Sequence, residues 1–216
     1  MATLRTSAET VNIAVFAKAP MAGQAKTRLI PALGPQGAAR LQRRLTRRAV
    51  ETALRAQLGA VTLWCAPDAQ HRFFRALRQS TGVGLHVQPA CDLGGRMLEA
   101  FRCHCPDGPL LLIGTDCPAL RSDDLLRAAQ VLREGDDAVF LPAEDGGYVL
   151  IGLRQPLPAL FDGIAWGTGS VMEATRTRMR AIGATWREPK MLWDVDRPVD
   201  LPRLDALWRD EAQRAT

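Results

Sequence analysis

The stretch Leu110 to Leu120, Leu-Leu-Leu-Ile-Gly-Thr-Asp-Cys-Pro-Ala-Leu, constrains the fold more than any other part of the chain. Leu110 to Ile113 is an unbroken apolar run, the pattern of a strand buried on both faces of a parallel sheet. Gly114 closes the run and Thr115-Asp116 follow at once. Pro118 cannot continue a ladder, and Ser122 has the chemistry of an N-cap for a helix running to about Glu134. Asp116 is therefore expected at the carboxyl end of a central strand, where open α/β sheets bind their ligands. A carboxylate there suits a metal ion or a ribose. It equally suits a loop cap that accepts backbone N–H bonds.

The flanking sequence alternates strand and helix. Val11–Ala17, Val61–Cys65 and Leu85–Gln88 read as strands. Pro35–Leu58 reads as a long helix with Ala38, Leu41, Leu45, Ala49 and Ala53 along one stripe, ended by Gly59. A shorter helix, His71–Gln79, would bury Phe73, Phe74 and Leu77, and Leu93–Arg102 is the next. Beyond the central strand, Ala138–Pro142 and Tyr148–Leu153 form a strand pair, expected as an antiparallel insertion near the active edge. Ser170–Ile182 is a helix stopped by Gly183, Thr185–Arg187 a short strand, and Asp200–Arg209 a closing helix burying Leu201, Leu204 and Leu207. This order predicts an α/β fold: a three-layer sandwich with a mostly parallel central sheet. Residues 11–216 are expected to form one domain, preceded by a frayed polar arm over residues 1–10.

Charge and cysteine content narrow the function classes. The net charge is +5, with arginines concentrated between Arg40 and Arg55 and between Arg176 and Arg187. Trp186 alone of the aromatic residues falls among them, at the end of the second cluster, so they read as solvated helix faces rather than a nucleic-acid surface. No apolar run approaches the roughly 20 residues of a membrane span, and the first ten residues lack the apolar core of a signal peptide. The expected compartment is the cytoplasm. The five cysteines include no Cys-x-x-Cys pair, and adjacent residues such as Cys103-His104-Cys105 rarely aim at one ion. Free thiols are expected.

Four segments carry polar chemistry. The loop Lys18 to Leu29 follows the first strand. Its small residues allow close backbone approach, and Lys18, Lys26 and Arg28 can neutralise a diphosphate. It is neither a Walker A sequence nor a Gly-x-Gly-x-x-Gly fingerprint. Asp92-Leu93-Gly94-Gly95-Arg96-Met97 opens a helix. Free N–H groups near Gly94, with Arg96 beside them, would favour an anion, while Asp92 is placed to cap. Glu144-Asp145-Gly146-Gly147-Tyr148 joins two strands, where the glycines alone would serve a tight turn and the carboxylates suggest substrate binding. In Trp193-Asp194-Val195-Asp196, alternate residues of an extended segment share a face, so Asp194 and Asp196 would repel unless a cation or donors intervene. Such an oxygen-only set suits Mg2+ or Mn2+, with Asp200 better placed to cap the last helix.

The ordered set of these motifs, with Gly114-Thr115-Asp116-Cys117-Pro118 and Trp166-Gly167-Thr168, resembles a bacterial family of glycosyltransferase-A-type transferases associated with radical-SAM and selenium-related proteins. The resemblance runs from about Val11 to Leu204. More distantly, the first loop is similar to that of the phospholactate and molybdenum-cofactor guanylyltransferases. The pattern departs from the family at Cys91 and Gly95, where relatives often carry Gly and Glu. The resemblance implies the Rossmann-like nucleotide-diphospho-sugar transferase (GT-A) fold. It implies that Lys26 and Arg28 hold nucleotide phosphates and that Asp116 takes the place of the metal-binding aspartate. Asp145, with Glu144, Gly146, Gly147, Tyr148 and Trp166, would face the sugar or acceptor.

The expected function is metal-dependent transfer of a sugar from a nucleotide-diphospho-sugar to a small acceptor. Asp116, with Asp194 and Asp196, would bind the metal, and Asp145 would act as general base. A nucleotidyltransferase joining a nucleoside triphosphate to a phosphorylated small molecule would use the same loop and metal. A non-catalytic nucleotide-binding regulator is the third reading.

Overall fold

The computed structural model describes residues 10–214. Apart from Thr10, the expected arm lies outside the described residues. Among the described residues seven strands form one sheet: β1 (Asn12–Lys18), β2 (Val61–Ala66), β3 (Gly84–Val87), β4 (Leu110–Ile113), β5 (Ala138–Pro142), β6 (Tyr148–Leu153) and β7 (Trp186–Arg187). Their order is β3-β2-β1-β4-β6-β5-β7. All neighbours run parallel except β6, which is antiparallel to both β4 and β5. The antiparallel insertion therefore lies inside the sheet, next to β4, rather than at an edge. This follows from composition: every residue of β5 and all but Tyr148 of β6 is buried, so neither strand can face solvent at a rim.

Among the described residues six α-helices cover the sheet: α1 (Ile30–Ala56), α2 (Arg72–Thr81), α3 (Leu93–His104), α4 (Ser122–Arg133), α5 (Val171–Ala181) and α6 (Leu201–Arg214). The pleat of β1 assigns their sides. Ile13, Val15 and Ala17 pack with α1, α2 and α4 through residues such as Val50, Phe74 and Leu125. Ala14 points the other way, into Met97 and Phe101 of α3 and Met172 and Met179 of α5. The result is the expected three layers. Asn12, the polar residue at the start of β1, is buried and accepts a hydrogen bond from the Ala60 N–H through Oδ1 at 3.1 Å.

Several boundaries differ from the sequence reading for local physical reasons. Gly34, at φ 67° and ψ 165°, breaks α1 just before Pro35, so the regular helix begins where that proline fits a first turn. Gln57 in the left-handed region ends α1, not Gly59. Ser122 is the first helical residue of α4 rather than its cap. Asp124 instead reaches back and accepts from the Arg121 N–H at 3.0 Å. In α6 only Leu204 is fully buried; Leu201 and Leu207 are partly covered.

A third apolar cluster positions the site. Trp193 and Val195, buried against Leu29, Leu41, Leu45 and Leu204, pin the late segment to α1 and α6. Their burial turns the alternate residues, Asp194 and Asp196, toward the carboxyl ends of β1 and β4, where both line a cleft.

Candidate active site

The cleft at those strand ends has a volume of about 640 Å³. Lys18, at the end of β1, lines it together with Lys26, Arg28 and Arg96. Asp116, Asp194 and Asp196 also line it. The structure thus gathers the expected phosphate-binding cations and the expected metal-binding carboxylates around one space.

Lys26 holds the acidic side together. Its backbone is left-handed (φ 48°, ψ 46°), uncommon for a residue with a side chain. That conformation directs a side chain only 3% exposed between three partners. Its Nζ donates to the Val195 carbonyl at 2.5 Å, and lies 2.9 Å from Asp116 Oδ1 and 3.8 Å from Asp196 Oδ1. Arg28 pairs with the other oxygen of Asp196. The Val195 N–H donates to the Asp116 carbonyl at 2.8 Å, so the late segment is fastened directly to the loop after β4. Asp200 accepts from the Asp196 and Arg197 N–H groups at 2.9 and 2.7 Å, which fixes that segment before α6 begins.

Among the described residues Asp194 has no such cationic partner. Burial, then the charge of Asp145, and further those of Asp116 and Asp196 push its carboxyl up to about 6. The donor set bears on the metal expectation. Among the described residues no group of three or more His, Cys, Asp or Glu side chains could hold one ion. Mg2+ commonly needs only one or two carboxylates, the rest being water and substrate phosphate oxygens. Asp194 and the Asp116 oxygen not held by Lys26 and Thr115 fit that requirement, while both oxygens of Asp196 face Lys26 or Arg28.

A buried relay supports Asp116 from behind. Gln42, on the inward stripe of α1, donates through Nε2 to Thr46 Oγ1 at 3.2 Å and to Thr115 Oγ1 at 3.1 Å. The Thr115 hydroxyl then donates to Asp116 Oδ1 at 3.2 Å. The sequence reading does not name Gln42, and it quotes Thr115 in the Gly114–Pro118 motif without giving it a role. The available signal is a polar pair four residues apart, Gln42 and Thr46, inside an otherwise apolar helix stripe.

The remaining expected residues divide. Asp145, Gly147, Tyr148 and Trp166 line a second, smaller cavity that shares Tyr148 with the main cleft. Asp145 Oδ1 also accepts from the Gly147 N–H at 2.9 Å, and burial raises the Tyr148 phenol above its ordinary range. Glu144 points elsewhere, into an exposed two-bond pair with Arg203 of α6 at 2.7 and 3.0 Å. Gly146 (φ 91°) is a packing position, because a Cβ there would stand 2.0 Å from the Gly169 carbonyl oxygen. Gly94 is likewise a seat. A Cβ on it would meet the Trp166 indole at 2.8 Å, so its side faces that ring rather than the cleft. Asp92 caps α3 by accepting from the Gly95 N–H at 2.8 Å, and Arg96 donates to the Cys91 carbonyl at 2.8 Å. Away from the cleft, Cys103, His104 and Cys105 turn to three different partners: Glu99, Trp64 and the Leu153 carbonyl.

Comparison with known proteins bears on the family and the fold. The family described as "Uncharacterized protein conserved in bacteria (DUF2064)" matches residues 49–168, more than half of the chain. The crystal structure of a candidate nucleotide-diphospho-sugar transferase from Desulfovibrio desulfuricans G20 superposes with a TM-score of 0.79 at 30% identity, covering 87% of this chain and 82% of that one. A 4-diphosphocytidyl-2C-methyl-D-erythritol synthase from Anaerococcus prevotii DSM 20548 has a TM-score of 0.62 at 9% identity over 94% and 97% of the two chains, a likeness of fold alone. The curated 3-phospho-D-glycerate guanylyltransferase of Phenylobacterium zucineum (strain HLK1) is 28% identical over 127 residues, 58% of this chain. The match spans only 55% of that relative's length. The fold is that of the nucleotide-diphospho-sugar transferases. No helix among the described residues is long and apolar enough to cross a membrane.

Proposed function

The chain belongs to the bacterial DUF2064 family, and we propose that it is a transferase moving a sugar from a nucleotide-diphospho-sugar to the hydroxyl of a small acceptor. The observation that supports this most is the two-part site. A cleft rimmed by Lys18, Lys26, Arg28 and Arg96 opens onto a cavity that carries Asp145 and no lysine or arginine.

The cations would receive the donor's diphosphate, Arg28 and Arg96 with planar forks and Lys18 as a point charge, while the buried Lys26, held by Val195 and Asp116, would add its charge to the cleft. Asp116 and Asp194 would hold Mg2+ or Mn2+, which when bound supplies charge stabilisation for the departing nucleoside diphosphate. The Gln42–Thr115 relay keeps the Asp116 carboxylate in place without reorganisation. Asp145, which lines the second cavity and whose charge reaches Asp194 in the cleft, takes the acceptor's hydroxyl proton. The acceptor oxygen forms its bond to the sugar's anomeric carbon as the bond to the diphosphate breaks, and the electron pair leaves with the nucleoside diphosphate.

The guanylyltransferase relative favours a second reading, in which a nucleoside triphosphate is joined to a phosphorylated small molecule. The two differ in what is released. A donor screen of nucleotide sugars, and of nucleoside triphosphates with phosphorylated acceptors, each with Mg2+ or Mn2+, separates them. Nucleoside diphosphate as product supports sugar transfer. Pyrophosphate as product with triphosphate donors alone overturns it in favour of nucleotidyl transfer.

A further inference from the structure

The second cavity, of about 180 Å³, adjoins the main cleft. Its walls include Phe16, Leu93, Met97, Tyr148, Trp166 and Val171. None of its lining residues is cationic. Several polar atoms on its walls are engaged, while the Trp166 Nε1, buried beside Gly94 of α3, has no hydrogen-bond partner among the described residues. The Thr168 hydroxyl is bonded to the Ala165 carbonyl at 2.7 Å and lies 2.9 Å from Ser170 Oγ. Asp145 Oδ1 accepts from Gly147 N–H, and the Tyr148 hydroxyl meets the Met97 sulfur at 3.9 Å.

Such a surface discriminates sharply. A phosphorylated acid or a polyhydroxylated ring entering it would surrender hydrogen bonds to water and find little to replace them. A hydrocarbon group would gain by leaving water. Cavities of roughly 150 Å³ lined by Leu, Ile and Phe bind benzene, so this one accommodates one six-membered ring or a branched chain of similar bulk. The walls are held in place. Gly94 lets the Trp166 ring lie directly on α3, and Gly146 interlocks with Gly169 while its carbonyl accepts from the Met172 N–H at 2.9 Å. The cavity is therefore preformed rather than created by its ligand.

We propose that this cavity binds an uncharged apolar group of the acceptor, an aromatic ring or a branched aliphatic chain, with the reacting hydroxyl at its mouth beside Asp145. The assignment of the hydroxyl rests on the sugar-transfer reading. The apolar preference rests on the cavity alone.

Benzyl alcohol and 3-phosphoglycerate are suitable opposing probes. Each is titrated into the full chain carrying labelled methionine methyls and tryptophan indoles, with and without a saturating nucleoside diphosphate. Benzyl alcohol should shift the Met97 methyl and Trp166 indole signals, and 3-phosphoglycerate should leave them unmoved. Thr168→Trp, an exposed rim substitution, should weaken benzyl alcohol binding about tenfold or more while nucleotide affinity stays unchanged. Val171→Phe, which fills the cavity from α5, should do the same. Shifts produced by 3-phosphoglycerate and not by benzyl alcohol would overturn the proposal. So would full benzyl alcohol affinity in both folded variants. Loss of nucleotide binding in the wild-type chain would instead overturn the transfer reading and leave the cavity's preference standing.

Discussion

Replacing Asp194 with Asn should make the ligand-free protein more stable at neutral pH while impairing its site. In the folded chain the carboxyl is raised from 3.8 to about 6, first by burial, next by Asp145, and further by Asp116 and Asp196. Below the unfolded value both states are protonated and the group contributes nothing. Between about 4 and 6 the unfolded chain ionises first, so stability falls as pH rises. Above about 6 both states are ionised and the loss levels off. A displacement of about two units at 1.36 kcal/mol each gives an upper bound of ~3 kcal/mol. Partial exposure of the carboxyl screens this to ~1–2 kcal/mol. Asn keeps the shape and removes the charge. Urea unfolding of both proteins in EDTA, from about pH 4 to pH 7.5, reads the difference. The advantage of Asp194→Asn should be smallest at the acidic end and grow to ~1–2 kcal/mol near neutrality. A difference that stays flat across this range, or that shrinks toward neutrality, would refute the account of Asp194 as a carboxylate held against its own repulsion.

Other consequences are equally direct. Arg28→Ala should leave the fold intact and weaken nucleotide affinity by about 1.5–3 kcal/mol, the worth of a charged hydrogen bond, measured by calorimetry. Asp145→Asn should retain donor binding and lose transfer by roughly 10²–10⁴-fold in single-turnover assays, as expected of a lost general base. Gln42→Leu should lower stability by about 1–3 kcal/mol in urea titrations, because Thr46 and Thr115 lose their buried donor. It should also lower the turnover number while leaving the donor's KM little changed.

The elements with strong local signals were legible in the sequence. The apolar run Leu110–Ile113 with Asp116 behind it places a carboxylate at the end of β4, and the alternation Trp193-Asp194-Val195-Asp196 separates a buried pair from an acidic pair. What escaped depends on contacts between distant residues. Nothing local shows that β6 enters between β4 and β5, because two fully apolar strands fit any interior position. Nothing near Glu144 announces Arg203, 59 residues later, as its partner. Gly94 carries the pattern of an anion-binding helix start, yet its missing side chain is used by Trp166. The position of Lys26 depends on a left-handed backbone, which the sequence gives no reason to expect at a lysine.

The central claim is that one cleft combines phosphate-binding cations with a carboxylate that takes a metal only alongside a nucleotide. Calorimetric titration of nucleoside diphosphates, with and without Mg2+, into the wild-type chain and Asp116→Asn tests this most directly. The account predicts that Mg2+ strengthens wild-type binding by about tenfold or more, ~1.4 kcal/mol, and that Asp116→Asn binds the metal-free nucleotide but loses the enhancement. Equal affinity with and without Mg2+ in the wild type, or an enhancement that survives Asp116→Asn, would contradict it.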